Sequence, residues 1–274
     1  NKMTTKTSEK LKKYLEEIEK NNSLEDSGKK VNSILQLRDK KELEKEAKEI
    51  DKKLLEGSAG KLAGKIIAVK ANINVKGLCT REINVMIKKV IKNEHNSDVN
   101  IENIDKQNNI AVGLYENARI IIDNDVGDLV GALNDGAIIR VKGNADRYAA
   151  DGMTEGEVII EGNAGEGAGT AMSGGTLMIE KNAGNNLGQL LKGGTIIIGG
   201  DVGDQIGNFM INGKIIIGGN AGKELGGSMV GGVIYIRGNY ESCDPNLTEE
   251  KLLEEEEEDL KDLSGHSIEG IPVC

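Results

Sequence analysis

The stretch GNAGEGAGTAMSGGTLMIE (residues 162–180) is followed by KNAGNNLGQLLKGGTIIIG (181–199), GDVGDQIGNFMINGKIIIG (200–218) and GNAGKELGGSMVGGVIYIR (219–237). The four segments align without a gap. Asn163, Asn182, Asp201 and Asn220 share one column, and Asn144 and Asn239 extend it at the same spacing of 19 residues. Glycine fills further columns, among them Gly165, Gly184, Gly203 and Gly222, then Gly169, Gly188, Gly207 and Gly226. A fixed short period is the mark of a stacked array.

One repeat is too short for a helix-turn-helix unit, whose arrays repeat at about 33 residues or more. Its many glycines also oppose helix, at up to ~1 kcal/mol each. Its apolar runs are short, β-branched and bounded by glycine and Asn or Asp, as in Ile196-Ile197-Ile198 and Ile215-Ile216-Ile217. That is a strand signature. Five residues before each Asn or Asp stand Ile120, Ile139, Val158, Leu177, Ile196, Ile215 and Ile234. Three before stand Ile122, Val141, Ile160, Ile179, Ile198, Ile217 and Ile236. Strand side chains alternate faces, so these two pure columns point inward. The column between them, with Arg140 and Tyr235 among its members, is expected to face a partner or water.

The expected architecture is mainly β: a parallel β-helix of about six to seven 19-residue coils, stacked at 4.7–4.9 Å. The Asn column suits a corner, because Asn tolerates left-handed backbone and its amide can bond the next coil. The glycine columns permit positive φ and close backbone approach. The first coil is irregular. Between Asp125 and Asn144 the turn is one residue shorter and the strand one longer, and Asp146 and Ala150 stand where later coils have glycine.

Composition agrees with such a core. The chain has no Trp and one Phe, Phe209. Cys79, Cys243 and Cys274 match no zinc or redox spacing, which points to a reducing, cytoplasmic setting. No apolar run reaches the ~18 residues of a membrane span. The net charge of −10 is uneven: residues 1–79 carry 19 basic and 13 acidic side chains, and residues 80–274 carry 16 and 32. An acidic repeat module is a poor nucleic-acid binder. Neither nucleic acid nor membrane is an expected partner.

Four regions follow: residues 1–79, 80–117, 118–240 and 241–274. Residues 8–20 and 38–56 read as amphipathic helices, the first with Leu11, Tyr14, Leu15 and Ile18 in one stripe. The run LAGKIIAVKANINVKGL, Leu62 to Leu78, resembles the start of the amidase-signature family, and closely the amidase-type subunit of archaeal glutamyl-tRNA(Gln) amidotransferase. The resemblance places Lys70 at the lysine of a Ser-Ser-Lys triad. The Gly/Ser-rich segment that would supply both serines is absent, and a lysine without its serines has no nucleophile to activate. Lys70 is a catalytic candidate under this alternative only, that of a glutamine-hydrolysing tRNA-amidotransferase fragment.

Thr80-Arg81-Glu82-Ile83-Asn84 opens a helix ending near Asn93, with Ile83, Ile87 and Val90 on one face. Val99 to Ile104 is a candidate strand. After the array, Leu247 to Leu263 reads as an acidic helix with Thr248 as N-cap, capping the open end of the stack. Residues 241–274 carry 12 acidic and two basic side chains.

The Thr-Arg-Glu-Ile-Asn opening, the repeated coils, Gly165-Glu-Gly167-Ala-Gly169 and the closing Gly-Gly-Val-Ile-Tyr-Ile-Arg-Gly (231–238) resemble the GXGXG family over residues 80–270. That family includes the C-terminal domain of the glutamate synthase large subunit, its free-standing archaeal counterpart and a scaffold subunit of formylmethanofuran dehydrogenase. The resemblance implies a right-handed β-helix. It implies a non-catalytic scaffold in a glutamate-synthase-like oxidoreductase complex of glutamate biosynthesis, with FMN and iron–sulfur clusters on partner chains and no cofactor in this one. The formylmethanofuran dehydrogenase scaffold is the other reading within the family.

No catalytic, cofactor-binding or metal constellation emerges from the residues themselves. Gly165 to Gly169 lacks the strand-before and helix-after context of a phosphate loop. His95 and His266 are solitary. Arg140, Arg147 and Tyr148 point out of the coils and could line a contact surface.

Overall fold

The computed structural model describes residues 71–93, 98–251 and 272–273. The chain divides into two compact units, residues 1–74 and 75–274. The described part of the first is strand β1, Ala71–Asn74. The helices expected over 8–20 and 38–56, and Lys70, lie outside the described residues.

The second unit opens with α1 (Thr80–Asn93). Strands then follow at one per coil: β2 (Asp98–Glu102), β3 (Arg119–Ile122), β4 (Asp135–Val141), β5 (Glu155–Ile160), β6 (Thr176–Ile179), β7 (Thr195–Ile198), β8 (Lys214–Ile217) and β9 (Val233–Ile236). Each from β2 to β9 pairs in parallel with the next. From β5 on the register is the repeat itself: Val158, Leu177, Ile196, Ile215 and Ile234 are successive partners. The expected mainly β, parallel solenoid of stacked 19-residue coils is therefore the observed one.

Both pure columns are buried, from Ile120 to Ile234 and from Ile122 to Ile236. Each such side chain contributes about 1.5–3 kcal/mol on leaving water. The intermediate column behaves differently from expectation. Arg140 is half-buried, but Ile159, Ile197, Ile216 and Tyr235 are at most 7% exposed. Ile197, Ile216 and Tyr235 form an apolar cluster with Met178 and Val233. The outward side chains of this column are thus largely buried where the column is apolar, and its polar member Arg140 stays partly open.

The irregular first coil has a local cause. β4 runs seven residues, and its pairing with β5 shifts register between Asp135 and Ile138. Asn134 stands where later coils place Met153, Met172, Leu191 and Met210 in the core, and it is fully buried. Its Nδ2 donates to the Ala137 carbonyl at 2.7 Å, and its Oδ1 accepts from the Ala137 nitrogen at 3.1 Å. The amide occupies the bulge as an extra peptide group would, so a polar side chain is tolerated in the core.

The first coil is closed by α1. Ile83, Ile87, Val90 and Ile91 are buried. Asn84 Nδ2 donates to the Asn109 carbonyl at 2.6 Å, and Ala111 N donates to Asn84 Oδ1 at 2.9 Å. Thr80 Oγ1 donates to the Asn108 carbonyl. These groups meet the backbone that a preceding coil would otherwise satisfy. Glu82 accepts from the Cys79 nitrogen at 2.8 Å, which is the glutamate arm of a capping box at the helix start.

At the far end the helix expected to start at Leu247–Thr248 does not do so. Glu250–Lys251 is strand β10, paired antiparallel with β11 (Pro272–Val273), whose Val273 opposes Tyr235 of β9. β9 is the last parallel strand and offers an open edge. Pairing at that edge overrides local helix propensity here. The rest of the expected helix lies outside the described residues.

Candidate interaction surface

After each strand the chain turns at the Asn column, and one of the two reasons expected for it holds. The Asn163 amide bonds Asn144 Oδ1 and the Asn220 amide bonds Asp201 Oδ1 in the adjacent coil, both at 3.1 Å, but the backbone there is not left-handed. None of Asn144, Asn163, Asn182, Asn220 or Asn239 has positive φ. The side-chain oxygens along this column also accept from the backbone nitrogen one coil on. Asn163 N reaches Asn144 Oδ1 at 2.8 Å, Asp201 N reaches Asn182 Oδ1 at 2.9 Å, and Asn220 N reaches Asp201 Oδ1 at 2.7 Å. Asn and Asp both supply the acceptor oxygen that the backbone bond needs, and an Asn adds its amide as a second donor to the preceding coil, as Asn144, Asn163 and Asn220 do. Three residues further on runs a second ladder. Asp204 N donates to Asn185 Oδ1 and Lys223 N to Asp204 Oδ1, at 2.9 and 2.8 Å.

Positive φ is found instead in the turn beyond the corner, at the fourth, sixth and eighth residues after the Asn column. In one coil these are Gln205, Gly207 and Phe209, with φ of 61°, 69° and 56°. A non-glycine residue there costs about 1–2 kcal/mol. The alternation lets backbone donors point up and down the stack in turn. Gln205 N donates forward to the Lys223 carbonyl, Gly207 N back to Leu187, and Phe209 N forward to Gly227, at 2.7, 2.9 and 2.8 Å. The middle residue faces the core: a Cβ on Gly188 would come within 2.6 Å of Ile215 Cδ1. The outer two face away from it and accept larger side chains.

On this turn face the apolar side chains are exposed. Leu190 and Phe209 stack in one column, 42% and 49% exposed, and Ile211 and Val230 stack in the next, 46% and 82% exposed. Successive coils are about 4.8 Å apart, so the four form one continuous ridge. Beside it lies a groove of about 350 Å³ lined by Asn208, Phe209, Glu224, Ser228, Cys243 and Asp244. Asp244 accepts from the backbone nitrogens of Ser228 and Asn246, at 3.0 and 2.9 Å, and these donors hold its carboxyl below the usual range. Glu224 accepts from Gln205 Nε2 at 2.6 Å. Cys243 is a free thiol, half-buried.

The outward residues named from sequence do not meet at one place. Arg140 lies on the outer sheet face, 2.9 Å from Glu161 and 3.9 Å from Glu180. Arg147 lies beyond the Asn corner and pairs with Asp128 at 2.9 Å. The hydrogen bonds from Arg147 keep the Asp128 carboxyl below its ordinary value. Tyr148 sits in the turn at φ 58°. His95 and His266 lie outside the described residues. The ridge escaped sequence reading, although a signal existed. Ile211 and Val230 interrupt a column otherwise held by Asp135, Thr154, Ser173 and Lys192, and Phe209 is the only phenylalanine.

Gly165 to Gly169 forms one of these turns. It leads into β6 with no helix following, and a Cβ on Gly169 would approach Ile196 Cδ1 to 2.5 Å. Its glycines serve packing. With this geometry in view, a family model for the GXGXG motif matches residues 69–267. The chain belongs to the GXGXG motif family. The match begins ahead of Thr80. Consistent with that, Val75 N donates to the Glu102 carbonyl and Gln107 Nε2 to the Leu78 carbonyl, which ties the residues before α1 into the first coils. The GXGXG domain is associated with glutamate-synthase-like proteins. No curated protein matches the chain in sequence. Among the described residues no helix is long and apolar enough to cross a membrane.

Proposed function

We propose that this GXGXG chain is a non-catalytic scaffold in a glutamate-synthase-like complex, with the glutaminase, flavin and iron–sulfur chemistry on partner chains. Family membership supports the setting. The observation that carries the scaffold role is the use made of the repeat's polar side chains. Asn163, Asn182, Asp201 and Asn220 accept from backbone nitrogens of neighbouring coils, as do Asp128, Asn185 and Asp204. They hold the rod together and do not converge on a reacting atom. A stack so braced is stiff, and its side faces can hold other domains at fixed separations. The test is glutamate formation from glutamine, 2-oxoglutarate and a reductant. The chain alone forms none, and glutamate formed by it alone overturns the proposal.

A further inference from the structure

We propose that the ridge of Leu190, Phe209, Ile211 and Val230, with its adjoining groove, docks a partner protein through a segment bearing an arginine or lysine flanked by apolar side chains. The proposal rests on the scaffold reading only in that it gives the scaffold a partner.

The ridge consists of four apolar side chains, and Ile211 and Val230 stand in a column that elsewhere holds small or polar residues. It lies open on the turn face. A contiguous exposed apolar patch rimmed by polar groups marks an interaction site. The ridge is also rigid. Phe209 N and Ile211 N donate to the Gly227 and Leu191 carbonyls at 2.8 and 2.7 Å, and Val230 N to the Met210 carbonyl at 2.8 Å. A partner meeting a fixed ridge loses little entropy in ordering it.

The groove sets the charge of the occupant. Phe209 forms one wall, and Glu224 and Asp244 lie in the same lining. Among the described residues neither carboxylate is paired with a cation, and the nearby Lys223 pairs with Glu241 at 3.8 Å. Asp244 is held ionised by its two backbone donors. An arginine or lysine entering here meets two carboxylates and an aromatic face, which attracts a cation through its ring quadrupole. Its apolar neighbours would cover Ile211 and Val230. The acidic excess of residues 80–274 steers basic partners from a distance. A second copy of this chain fits badly, because its own Glu224 and Asp244 would face those of the first.

The test uses the full chain and two fluorescein-labelled probe peptides, one alternating leucine and arginine, the other leucine and glutamate. Anisotropy at physiological salt reads binding. The basic peptide binds and the acidic one does not. Phe209→Ser with Val230→Ser weakens binding about tenfold or more, as the loss of a central apolar anchor does. Val230→Ser alone and Glu224→Gln weaken it less, and Tyr115→Ser, an exposed side chain outside the ridge, leaves it unchanged. Far-UV circular dichroism of each variant reports that the fold is intact. Equal binding by wild type and the ridge variants overturns the proposal, as does no binding of the basic peptide. Sedimentation showing self-association that the ridge variants abolish also overturns it, in favour of a second copy. The peptide assay involves no glutamate chemistry, so its failure leaves the scaffold reading to its own test.

Discussion

Asn144 Oδ1 accepts two hydrogen bonds from Asn163, one coil further along: from its backbone nitrogen at 2.8 Å and from its side-chain amide at 3.1 Å. The same side-chain-to-backbone contact recurs from Asp125 to Asn239. This ladder fixes the corner of every coil it spans.

Replacing Asn144 by alanine leaves the Asn163 nitrogen without its acceptor. A hydrogen bond of this kind contributes about 0.5–1.5 kcal/mol net, and water can reach this exposed corner, so Asn144→Ala costs about 1 kcal/mol. Asn144→Asp keeps the acceptor but replaces the amide that donates to Asp125 Oδ1 at 3.1 Å by a second carboxylate beside it. The comparison is therefore made at about pH 4, where one of the pair is protonated and Asn144→Asp costs less. Urea unfolding of both variants checks the order. Equal losses would mean that the amide, not the acceptor oxygen, matters.

Gly188→Ala combines a left-handed backbone, φ +66°, with a Cβ placed 2.6 Å from Ile215 Cδ1. Gly77→Ala meets the first obstacle only, at φ +80° with open space around it. The backbone penalty is about 1–2 kcal/mol, and crowding a packed core adds typically about 1–3 kcal/mol. Thermal unfolding of the two variants therefore separates strain from clash, with Gly188→Ala the less stable by at least about 1 kcal/mol. Equal midpoints would contradict the inward-facing assignment of this column.

Asn84→Ala removes both the donor to the Asn109 carbonyl and the acceptor for Ala111 N. The exposed Asn109 carbonyl turns to water, but Ala111 is buried, and leaving its nitrogen without an acceptor costs about 1–3 kcal/mol. Hydrogen exchange localises the effect: the Ala111 amide loses protection, while amides in β7 and β8 keep theirs. Uniform loss along the rod would contradict a local capping role for α1.

Asp151 and Asp128 predict opposite pH behaviour. Burial pushes the Asp151 carboxyl above its ordinary value. A raised folded value means that this group's stabilisation is complete below about pH 4 and is lost as pH rises through that value. Asp151→Asn therefore raises the thermal midpoint at pH 7 and leaves it nearly unchanged in acid, below the ordinary carboxylate range. Asp128, lowered by its bonds to Arg147, contributes above about pH 4, and that contribution is lost as pH falls through its folded value. Asp128→Asn lowers the midpoint at pH 7 and matters less in acid. Midpoint shifts for either variant that do not depend on pH would contradict these assignments.

Much of the rod was legible because its information is periodic. Ile196, Ile215 and Ile234 recur at one spacing and alternate with their neighbours, and strand geometry alone turns that into an inward column. The turn was not legible, because what matters there is the direction of each backbone donor. Gln205 and Phe209 adopt positive φ although neither residue type favours it, and the hydrogen bonds to the coils on either side compensate. Asn163 belongs at the corner for one of the two reasons its residue type suggests: its amide group bonds the coils on either side, and its backbone is not left-handed. The outward Ile197, Ile216 and Tyr235 were misjudged because strand alternation says which way a side chain points and not whether something covers it. For the candidate surface, Phe209 and Val230 stood out in the sequence only as the lone phenylalanine and an apolar interruption of a polar column, and only the turn geometry placed them side by side.

The most direct test of the scaffold account is an assay of the purified chain for glutamate formation from glutamine, 2-oxoglutarate and reductant, alone and with the chains that co-purify with it from its own cells. The account predicts no glutamate from the chain alone, partners that carry flavin and iron–sulfur clusters, and activity when they are combined. Glutamate produced by the isolated chain would contradict it.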